Sequence, residues 1–295
     1  MPALQWTIPK PLSTKLSVAV LAELLDGGQS FRWTKSDDGQ SWTGVWADNV
    51  AKLSIRKDDQ LQWIAPVAIA GRVEKALRNY LPDDNQLQEQ LDRLPWRSDE
   101  HLAKCLHSFS GLRILQQPFG ETLLCFLCSA TKQIVQIKQM TALLADCRGA
   151  EIVPGFRRLP TWDELARANE ASLRECKLGF RAKYISETAR FLAKNPGWLE
   201  ATASAPYAEA KARLCTLPGV GEKVADCVLL FGAGRLEAFP VDVWILRTMA
   251  LRYGLESWKP SQVAHFGRVH FGNLAGLAQQ YLFAYERRFS RNRED

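Results

Sequence analysis

The sequence predicts an α+β protein, in which an N-terminal antiparallel β-sheet with helices is followed by an all-helical domain. Short runs of alternating apolar and polar residues, the period of a half-buried strand, are confined to residues 1–117. From residue 118 onward apolar residues recur every three or four positions, the spacing of an amphipathic helix. We therefore expect an antiparallel α+β domain over residues 1–117 and a helical domain over residues 118–295.

The first domain is predicted from three strand-like runs and two helical runs. The strands cover residues 41–46, 50–56 and 60–64, and Asp-rich turn sequences separate them. Helical spacing follows at residues 71–80 and 98–109. Together these runs predict an antiparallel sheet covered by helices.

The second domain begins after Pro118, with helical spacing over residues 121–144. Thr161 and Glu164 have the spacing of a capping box, so a helix should start there. Further helices are predicted at residues 207–215, 222–231 and 243–251.

Composition restricts the class of protein. Of the 295 residues, 46% are hydrophobic, and 38 basic against 32 acidic residues give a net charge of +6. This charge mildly favours polyanionic partners. No apolar run approaches the ~20 residues that a membrane-spanning helix needs, and no signal peptide pattern opens the chain. We therefore expect a soluble intracellular protein, cytoplasmic or nuclear, with no membrane partner.

The cysteines and histidines do not indicate a metal site. The seven cysteines are an odd number spread through apolar stretches, as is typical of reduced thiols. Cys125 and Cys128 form a CxxC pair, but no second pair lies nearby. We expect neither a metal nor an organic cofactor.

Residues 217–221 read Leu-Pro-Gly-Val-Gly and lie between two predicted helices. Gly219 and Gly221 flank Val220 and tolerate backbone angles that strain other residues, so a tight helix-to-helix turn is expected. The helix that follows opens with unpaired N–H groups at the positive end of its dipole. Such an end binds phosphate.

Lys223 and Asp242 convert this anion site into a candidate reaction centre. Lys223 lies on the first turn after the glycines, where a partly buried, cation-flanked amine can lose its proton and act as a nucleophile. Asp242 precedes an apolar run in the N-cap position, and we expect its carboxylate to stay ionised. One helix and one loop separate the two residues, so both can face one cleft.

Residues 217–227, Leu-Pro-Gly-Val-Gly-Glu-Lys-Val-Ala-Asp-Cys, match the pattern LPGVGxKVADC. The chain thereby resembles the helix-hairpin-helix, Gly/Pro-Asp superfamily of DNA glycosylases, and within it the 8-oxoguanine DNA glycosylases. The resemblance implies that Lys223 attacks C1′ of a damaged deoxynucleoside and forms a Schiff base. It also implies that Asp242 assists the amine and stabilises positive charge on the sugar. Each feature alone has an ordinary structural reading, as a helix cap or a solvated lysine.

The resemblance extends to residues that would recognise the damaged base. Residues 28–33 read Gly-Gln-Ser-Phe-Arg-Trp, like the family motif whose glycine carbonyl accepts the N7–H of 8-oxoguanine. Relatives sandwich the purine between a cysteine and a phenylalanine and read its Watson–Crick edge with a glutamine. The implied base pocket consists of Gly28, Cys227, Pro240, Gln279 and Phe283.

A third group would contact DNA around the opened site. Phe180 and Arg181 match an aromatic wedge and an arginine that bonds the estranged base. Thr131 and Gln136 replace an asparagine and an arginine of the family, which puts strict preference for cytosine opposite the lesion in doubt, and Trp244 replaces a phosphate-binding histidine. The implied DNA contacts are Gly219, Val220, Gly221, Val224, Phe180, Arg181, Thr131, Gln136 and Trp244.

The resemblance covers nearly the whole chain and implies a monomeric glycosylase and abasic-site lyase acting on double-stranded DNA that contains oxidised guanine. Two alternatives stay open. A glycosylase for alkylated bases of the same superfamily would use Asp242 with water and would not need Lys223. A non-catalytic hairpin module that only grips DNA would need neither residue.

Overall fold

A computed structural model describes residues 4–289, so residues 1–3 and 290–295 at the outer ends of the two predicted domains lie outside the description. Five antiparallel strands form a sheet of order β1-β5-β4-β3-β2. The strands are β1 (Lys10–Lys15), β2 (Trp33–Lys35), β3 (Ser41–Trp46), β4 (Asn49–Ile55) and β5 (Gln60–Ile64). The α+β prediction is confirmed, and the three predicted strands agree with β3, β4 and β5 to within one residue.

Helices account for most of the remaining chain. Those in the first part are α1 (Val18–Asp26), α2 (Ala70–Tyr80), α3 (Asp84–Asp92) and α4 (Glu100–Ser108). Those in the second part are α5 (Phe119–Leu127), α6 (Ile134–Arg148), α7 (Trp162–Arg167), α8 (Glu170–Leu173), α9 (Arg181–Lys194), α10 (Trp198–Ser204), α11 (Tyr207–Cys215), α12 (Glu222–Ala233), α13 (Val243–Tyr253), α14 (Pro260–Phe271) and α15 (Ala275–Phe289). None of these helices is long and apolar enough to cross a bilayer. The division between residues 117 and 118 stays a prediction.

Two features of the second part differ from the helical pattern. The continuous helical spacing over residues 121–144 is interrupted between α5 and α6, where Thr131 adopts a left-handed φ of 54°. The apolar pattern hid this break because both helices bury their apolar residues in the same core. A short hairpin of β6 (Glu151–Val153) and β7 (Phe156–Arg157) also lies among the helices.

The loop between α1 and β2 is held to the linker that joins the two parts. The Gln29 amide donates to the Arg113 carbonyl at 2.9 Å and accepts from the Leu115 N–H at 3.0 Å. The Gln117 side chain donates to the Gln29 carbonyl at 2.7 Å. These bonds fix the backbone at Gly28 relative to the helices that follow the linker.

Aromatic packing joins the two parts at the same place. The ring of Phe31 meets that of Phe126 on α5 edge to face at 5.3 Å, and Phe126 stacks on Phe231 of α12 at 5.7 Å. Such pairs add specific geometry to the apolar burial. Phe126 of α5 therefore links the sheet side of the molecule to α12, the helix that carries Lys223.

Candidate active site

The turn between α11 and α12 has the geometry that its glycines predict. Gly219 has a φ of 78°, and a Cβ added there would lie 2.4 Å from Cδ2 of Tyr184 on α9. Glycine is thus required both by the backbone angle and by the neighbouring ring. Gly221 is extended and serves as the N-cap of α12 without a capping side chain. The first turn of α12 therefore offers uncapped N–H groups to an anion.

Lys223 lies on this first turn, half-buried. Its Nζ is 5.5 Å from the centroid of the Phe126 ring, so an aromatic wall supports the amine. Cys227 follows one helical turn later and is 4% exposed. Burial raises the pKa of the Cys227 thiol to about 11, with Lys223 opposing that shift. The thiol is therefore protonated near neutral pH and acts as an apolar surface rather than a nucleophile.

Asp242 is the N-cap of α13, as its position predicts. Its Oδ1 accepts a hydrogen bond from the Ile245 N–H at 2.9 Å. Burial raises the pKa of the carboxyl above its usual value, while the Ile245 N–H and the charge of Lys223 oppose the rise. We expected the Asp242 carboxylate to stay ionised without taking its burial into account. The sequence shows that the residue caps a helix but does not show how deeply its side chain is buried.

One cavity brings the two candidate catalytic residues together with the whole predicted base pocket. Its lining residues come from the α1–β2 loop, α5, α12, the loop before α13, and α15. They are Gly28, Phe126, Lys223, Cys227, Phe231, Pro240, Asp242, Gln279, Gln280 and Phe283. Phe126, Phe231 and Gln280 were not predicted from the sequence.

Gly28 forms one wall of this cavity and has a φ of 106°. A Cβ added there would lie 3.2 Å from Cδ1 of Ile134 and 4.0 Å from Cε1 of Phe283. Any side chain at this position would crowd Ile134 and would be strained by the positive φ. Because the residue has none, its backbone is accessible to a ligand that packs beside Phe283.

Two amides of α15 line the cavity. Gln279 donates from Nε2 to the Pro240 carbonyl at 3.1 Å, and its Oε1 accepts from Nε2 of Gln280 at 2.7 Å. Both side chains are buried. The only signal for Gln280 in the sequence is that two consecutive amides interrupt an apolar helix.

A wider cleft opens onto this cavity. It shares Gly28, Lys223, Asp242 and Phe283 with the cavity and is also lined by the predicted DNA contacts Thr131, Val224 and Trp244. Two apolar side chains, Val135 and Val243, line the same cleft and are 67% and 76% exposed. Apolar side chains that are exposed at a cleft indicate that the cleft is a binding surface.

The remaining predicted DNA contacts lie outside the cavity. Phe180 is 49% exposed and follows a π-helical turn, Arg174–Leu178. Lys177 within this turn and Gly179 just after it have positive φ. Its ring meets Tyr184 edge to face at 5.8 Å, and the Arg181 guanidinium lies 4.3 Å from its centroid. An exposed ring held from two sides in this way suits an aromatic wedge.

Arg181 is 2% exposed, and its guanidinium donates to the Ala130 carbonyl and, at 3.1 Å, to Oγ1 of Thr131. The Gln136 side chain accepts from the Gln133 N–H at 3.1 Å and so caps α6. Both side chains therefore order residues 128–133, the segment between α5 and α6. Among residues 4–289, no cluster of His, Cys, Asp and Glu side chains is arranged to hold a metal.

Comparison with known proteins places the chain in a family. The model "8-oxoguanine DNA glycosylase, N-terminal domain" matches residues 12–123, and the model "HhH-GPD superfamily base excision DNA repair protein" matches residues 125–269. An N-glycosylase/DNA lyase of Arabidopsis thaliana is 34% identical over 88% of this chain and 75% of its own length. One of Saccharomyces cerevisiae is 33% identical over 84% of this chain and 72% of its own length.

Solved structures agree with these matches. The Clostridium acetobutylicum 8-oxoguanine glycosylase/lyase, in complex with double-stranded DNA containing cytosine opposite 8-oxoguanine, has a TM-score of 0.83 at 28% identity. It covers 97% of this chain and 99% of its own. A 3-methyladenine DNA glycosylase from Archaeoglobus fulgidus, 20% identical with a TM-score of 0.74 over 96% of this chain and 99% of its own, shares the fold. With its two family models, its relatives and its lysine-bearing hairpin, the chain belongs to the 8-oxoguanine DNA glycosylase family of the HhH-GPD superfamily.

Proposed function

We propose that this chain removes 8-oxoguanine from duplex DNA as an N-glycosylase/DNA lyase, with Lys223 as the nucleophile and Asp242 as its partner. One observation carries this proposal: a single cavity is lined by Lys223, by Asp242 and by every residue of the implied base pocket. The two family models and the N-glycosylase/DNA lyase relatives support it.

In the proposed reaction, the uncharged Lys223 amine forms a bond to C1′ as the glycosidic bond breaks, and the base leaves with the electron pair and takes up a proton. Opening of the sugar ring then gives an imine between Nζ and C1′. The imine acidifies the C2′ proton, so the 3′ phosphate leaves by β-elimination. Asp242 stabilises the positive charge that develops on the sugar in a site from which water is largely excluded.

The nucleophile is assigned by comparing the two candidates on α12. Cys227 is the other nucleophilic side chain in the cavity, but burial raises its pKa to about 11. A protonated thiol is a poor nucleophile. Its position one turn after Lys223 suits an apolar face on which the extruded purine stacks, opposite the ring of Phe283.

Access to the base requires its extrusion from the stack, because C1′ and the base edge are out of reach inside a duplex. We propose that Gly219, Val220 and Gly221 hold the phosphate backbone through N–H groups while Phe180 fills the opened stack. Contacts of this kind fix position without reading sequence, and binding should weaken steeply as salt concentration rises.

We further propose that the choice of the base opposite the lesion is relaxed. Gln136 is occupied in capping α6, and Thr131 accepts a hydrogen bond from Arg181. These contacts leave fewer free donors and acceptors on Thr131 and Gln136 for reading the estranged base. Arg181 would read that base only after exchanging its present partners.

Borohydride trapping tests the function. Duplexes carrying one 8-oxoguanine opposite each of the four bases are incubated with wild type and with Lys223→Gln, and a covalent complex is expected from the wild type only. Similar trapping with all four partners would support relaxed choice. Base release that persists in Lys223→Gln would indicate a water-dependent glycosylase, and normal binding with no release would indicate a non-catalytic hairpin module.

The oligomeric state and the compartment are also proposals. All residues of the cavity come from one chain, so we propose that a monomer is active and that the protein works wherever the cell keeps its DNA. Light scattering of the protein with and without a lesion-containing duplex checks the first point.

A further inference from the structure

Two connected hydrogen bonds line one side of the base cavity. Gln279 and Gln280 both line the cavity and are 3% and 7% exposed. Gln279 Nε2 lies 3.1 Å from the Pro240 carbonyl oxygen, and Gln279 Oε1 lies 2.7 Å from Gln280 Nε2. The two amides and the carbonyl thus form one connected unit beside the loop that carries Asp242.

The direction of these hydrogen bonds follows from the Pro240 carbonyl. A backbone carbonyl only accepts hydrogen bonds, so Gln279 must turn its NH₂ group toward Pro240. Its oxygen then faces Gln280, which must donate. If the Gln279 amide were rotated by half a turn, its oxygen would face the carbonyl oxygen of Pro240 and its nitrogen would face the Gln280 nitrogen. The Gln280 amide can turn to relieve the second contact, but the Pro240 carbonyl cannot relieve the first. Two oxygens facing each other in a buried site make that orientation costly, and the bond from Gln280 adds to the preference for the observed one.

An amide of fixed orientation discriminates between purines. After its two internal bonds, Gln279 keeps one N–H donor on one side and one lone pair on the other. Guanine presents the O6 acceptor next to the N1–H donor, whereas adenine presents the N6 donor next to the N1 acceptor. The two patterns are reversed, so one amide orientation suits an oxo-purine and the opposite orientation suits an amino-purine.

We propose that Gln280 is a positioning residue: it holds the side-chain amide of Gln279 in the orientation that the Pro240 carbonyl sets, and thereby sharpens the selectivity of the cavity for an oxo-purine over an amino-purine. This inference rests on the proposed function and concerns base reading only. Gln280 does not take part in the chemistry at the sugar, because its partner is the Gln279 oxygen rather than Lys223 or Asp242.

The test compares excision of 8-oxoguanine and of 8-oxoadenine by wild type, Gln280→Met and Gln280→Glu. Methionine keeps the length of the side chain but cannot donate, and an ionised glutamate places an acceptor against the Gln279 oxygen. We expect the ratio of kcat/KM for the two bases to fall about tenfold in Gln280→Met, the size of one hydrogen bond, and further in Gln280→Glu.

One further measurement and one control variant make the result decisive. Trapping on a preformed abasic site involves no base, so it should stay within about twofold of wild type in both variants if only base reading has changed. Tyr281→Phe is the matched control, since the neighbouring hydroxyl donates to the Leu112 carbonyl at 2.6 Å away from the cavity. It should lower the thermal midpoint and leave the base ratio unchanged.

A wild-type base ratio in both Gln280 variants would overturn the positioning role, and so would an equal loss of abasic-site trapping and base excision. A wild type that traps neither on 8-oxoguanine nor on the abasic site would instead overturn the proposed function itself, and this inference with it.

Discussion

At the residue scale, Asp242 has two roles that one substitution separates. It caps α13 through Oδ1, and it supplies a charge in a buried site where its pKa is raised by desolvation. Asparagine keeps a capping oxygen and removes the charge. We predict that Asp242→Asn leaves the thermal midpoint unchanged or raises it, because the cost of burying the charge is relieved. Base excision should fall about 100-fold or more, because charge on the sugar loses its partner.

Calorimetry and single-turnover excision measure these two effects. Asp226→Asn is the control on the same helix, where the carboxylate accepts from the Tyr207 hydroxyl at 2.7 Å and pairs with Lys211 at 3.0 Å, two side chains of α11. That variant should lose stability and keep the chemical step. An Asp242→Asn protein with normal excision would contradict the assigned role.

The candidate site was predictable where a residue has a distinctive chemical type at a distinctive place. Lys223 and Asp242 stand at a helix start and a cap, and the cavity contains both. Phe126 and Gln280 are missing from the prediction because an aromatic or an amide in a helix has no local feature that reveals which cavity it lines. The raised pKa of Asp242 depends on three-dimensional burial, which no local pattern specifies.

At the element scale, the two glycines of the hairpin should respond differently to alanine. Gly219 has a φ of 78°, and a methyl group added there would lie 2.4 Å from the ring of Tyr184. A methyl group added at Gly221 would have no atom within 4 Å. We predict that Gly219→Ala lowers the free energy of unfolding by about 2 kcal/mol. Gly221→Ala should keep stability near wild type but weaken DNA binding, because its methyl group points to the side where a phosphate would lie.

Urea unfolding and fluorescence anisotropy with an abasic-site duplex separate these outcomes. If Gly221→Ala binds DNA as tightly as wild type over a range of salt concentrations, the backbone at this position does not approach the phosphate.

A second element-scale prediction concerns the ion pair between α1 and α15. Arg287 donates to Glu23 at 2.5 Å, and its guanidinium lies 5.8 Å from the ring centroid of Phe283. The side chains of Glu23 and Arg287 are only 11% and 24% exposed. We predict that Glu23→Gln and Arg287→Met each cost about 2 kcal/mol, since each leaves a largely buried partner unpaired.

The double variant should cost less than the sum of the two single variants, which a double-mutant cycle in urea measures. Exposed Arg288→Met is the matched control on the same helix and should change stability by less than about 0.5 kcal/mol. Additive costs would show that the two side chains do not act as a pair.

The helices and strands were predictable because their periods are local, but the break at residues 128–133 was not. Gln133 stands at the N-cap of α6, where Ser, Thr, Asp and Asn are the usual residues, so the capping box that it forms with Gln136 has no recognisable signature in the sequence. Arg181 stabilises the segment from α9, some 50 residues later in the chain. A break that depends on such a distant side chain leaves no trace in the local pattern.

At the scale of the whole molecule, the base cavity lies where the sheet side and the helical side meet. Gly28 comes from the first, and Lys223, Asp242 and Phe283 come from the second. Arg32, four residues after Gly28, donates to the carbonyls of Thr141 and Arg157. The relative position of the two sides therefore determines the width of the cavity, and contacts across the junction affect function as well as stability.

Glu121 is a titratable group of this junction. Its Oε1 accepts from the Ala47 N–H at 2.9 Å, so α5 is joined to the turn between β3 and β4. Burial raises the pKa of Glu121 to about 7, and the Asp48 charge adds to the rise, while the Ala47 N–H, Arg32 and Arg158 oppose it. Because the pKa of Glu121 in the folded state exceeds the usual glutamate value of 4.5, this side chain favours folding at low pH.

This favourable contribution is lost as pH rises toward 7, where the buried side chain must give up its proton. Glu121→Gln keeps an acceptor for Ala47 and cannot ionise. We predict that wild type loses about 2 kcal/mol of unfolding free energy between about pH 5 and about pH 8 that the variant retains. Urea unfolding at both pH values measures the difference, and the exposed Glu100→Gln should behave like wild type. If Glu121→Gln shows the same pH dependence as wild type, then water reaches this carboxylate and the junction is looser than the Ala47 hydrogen bond indicates.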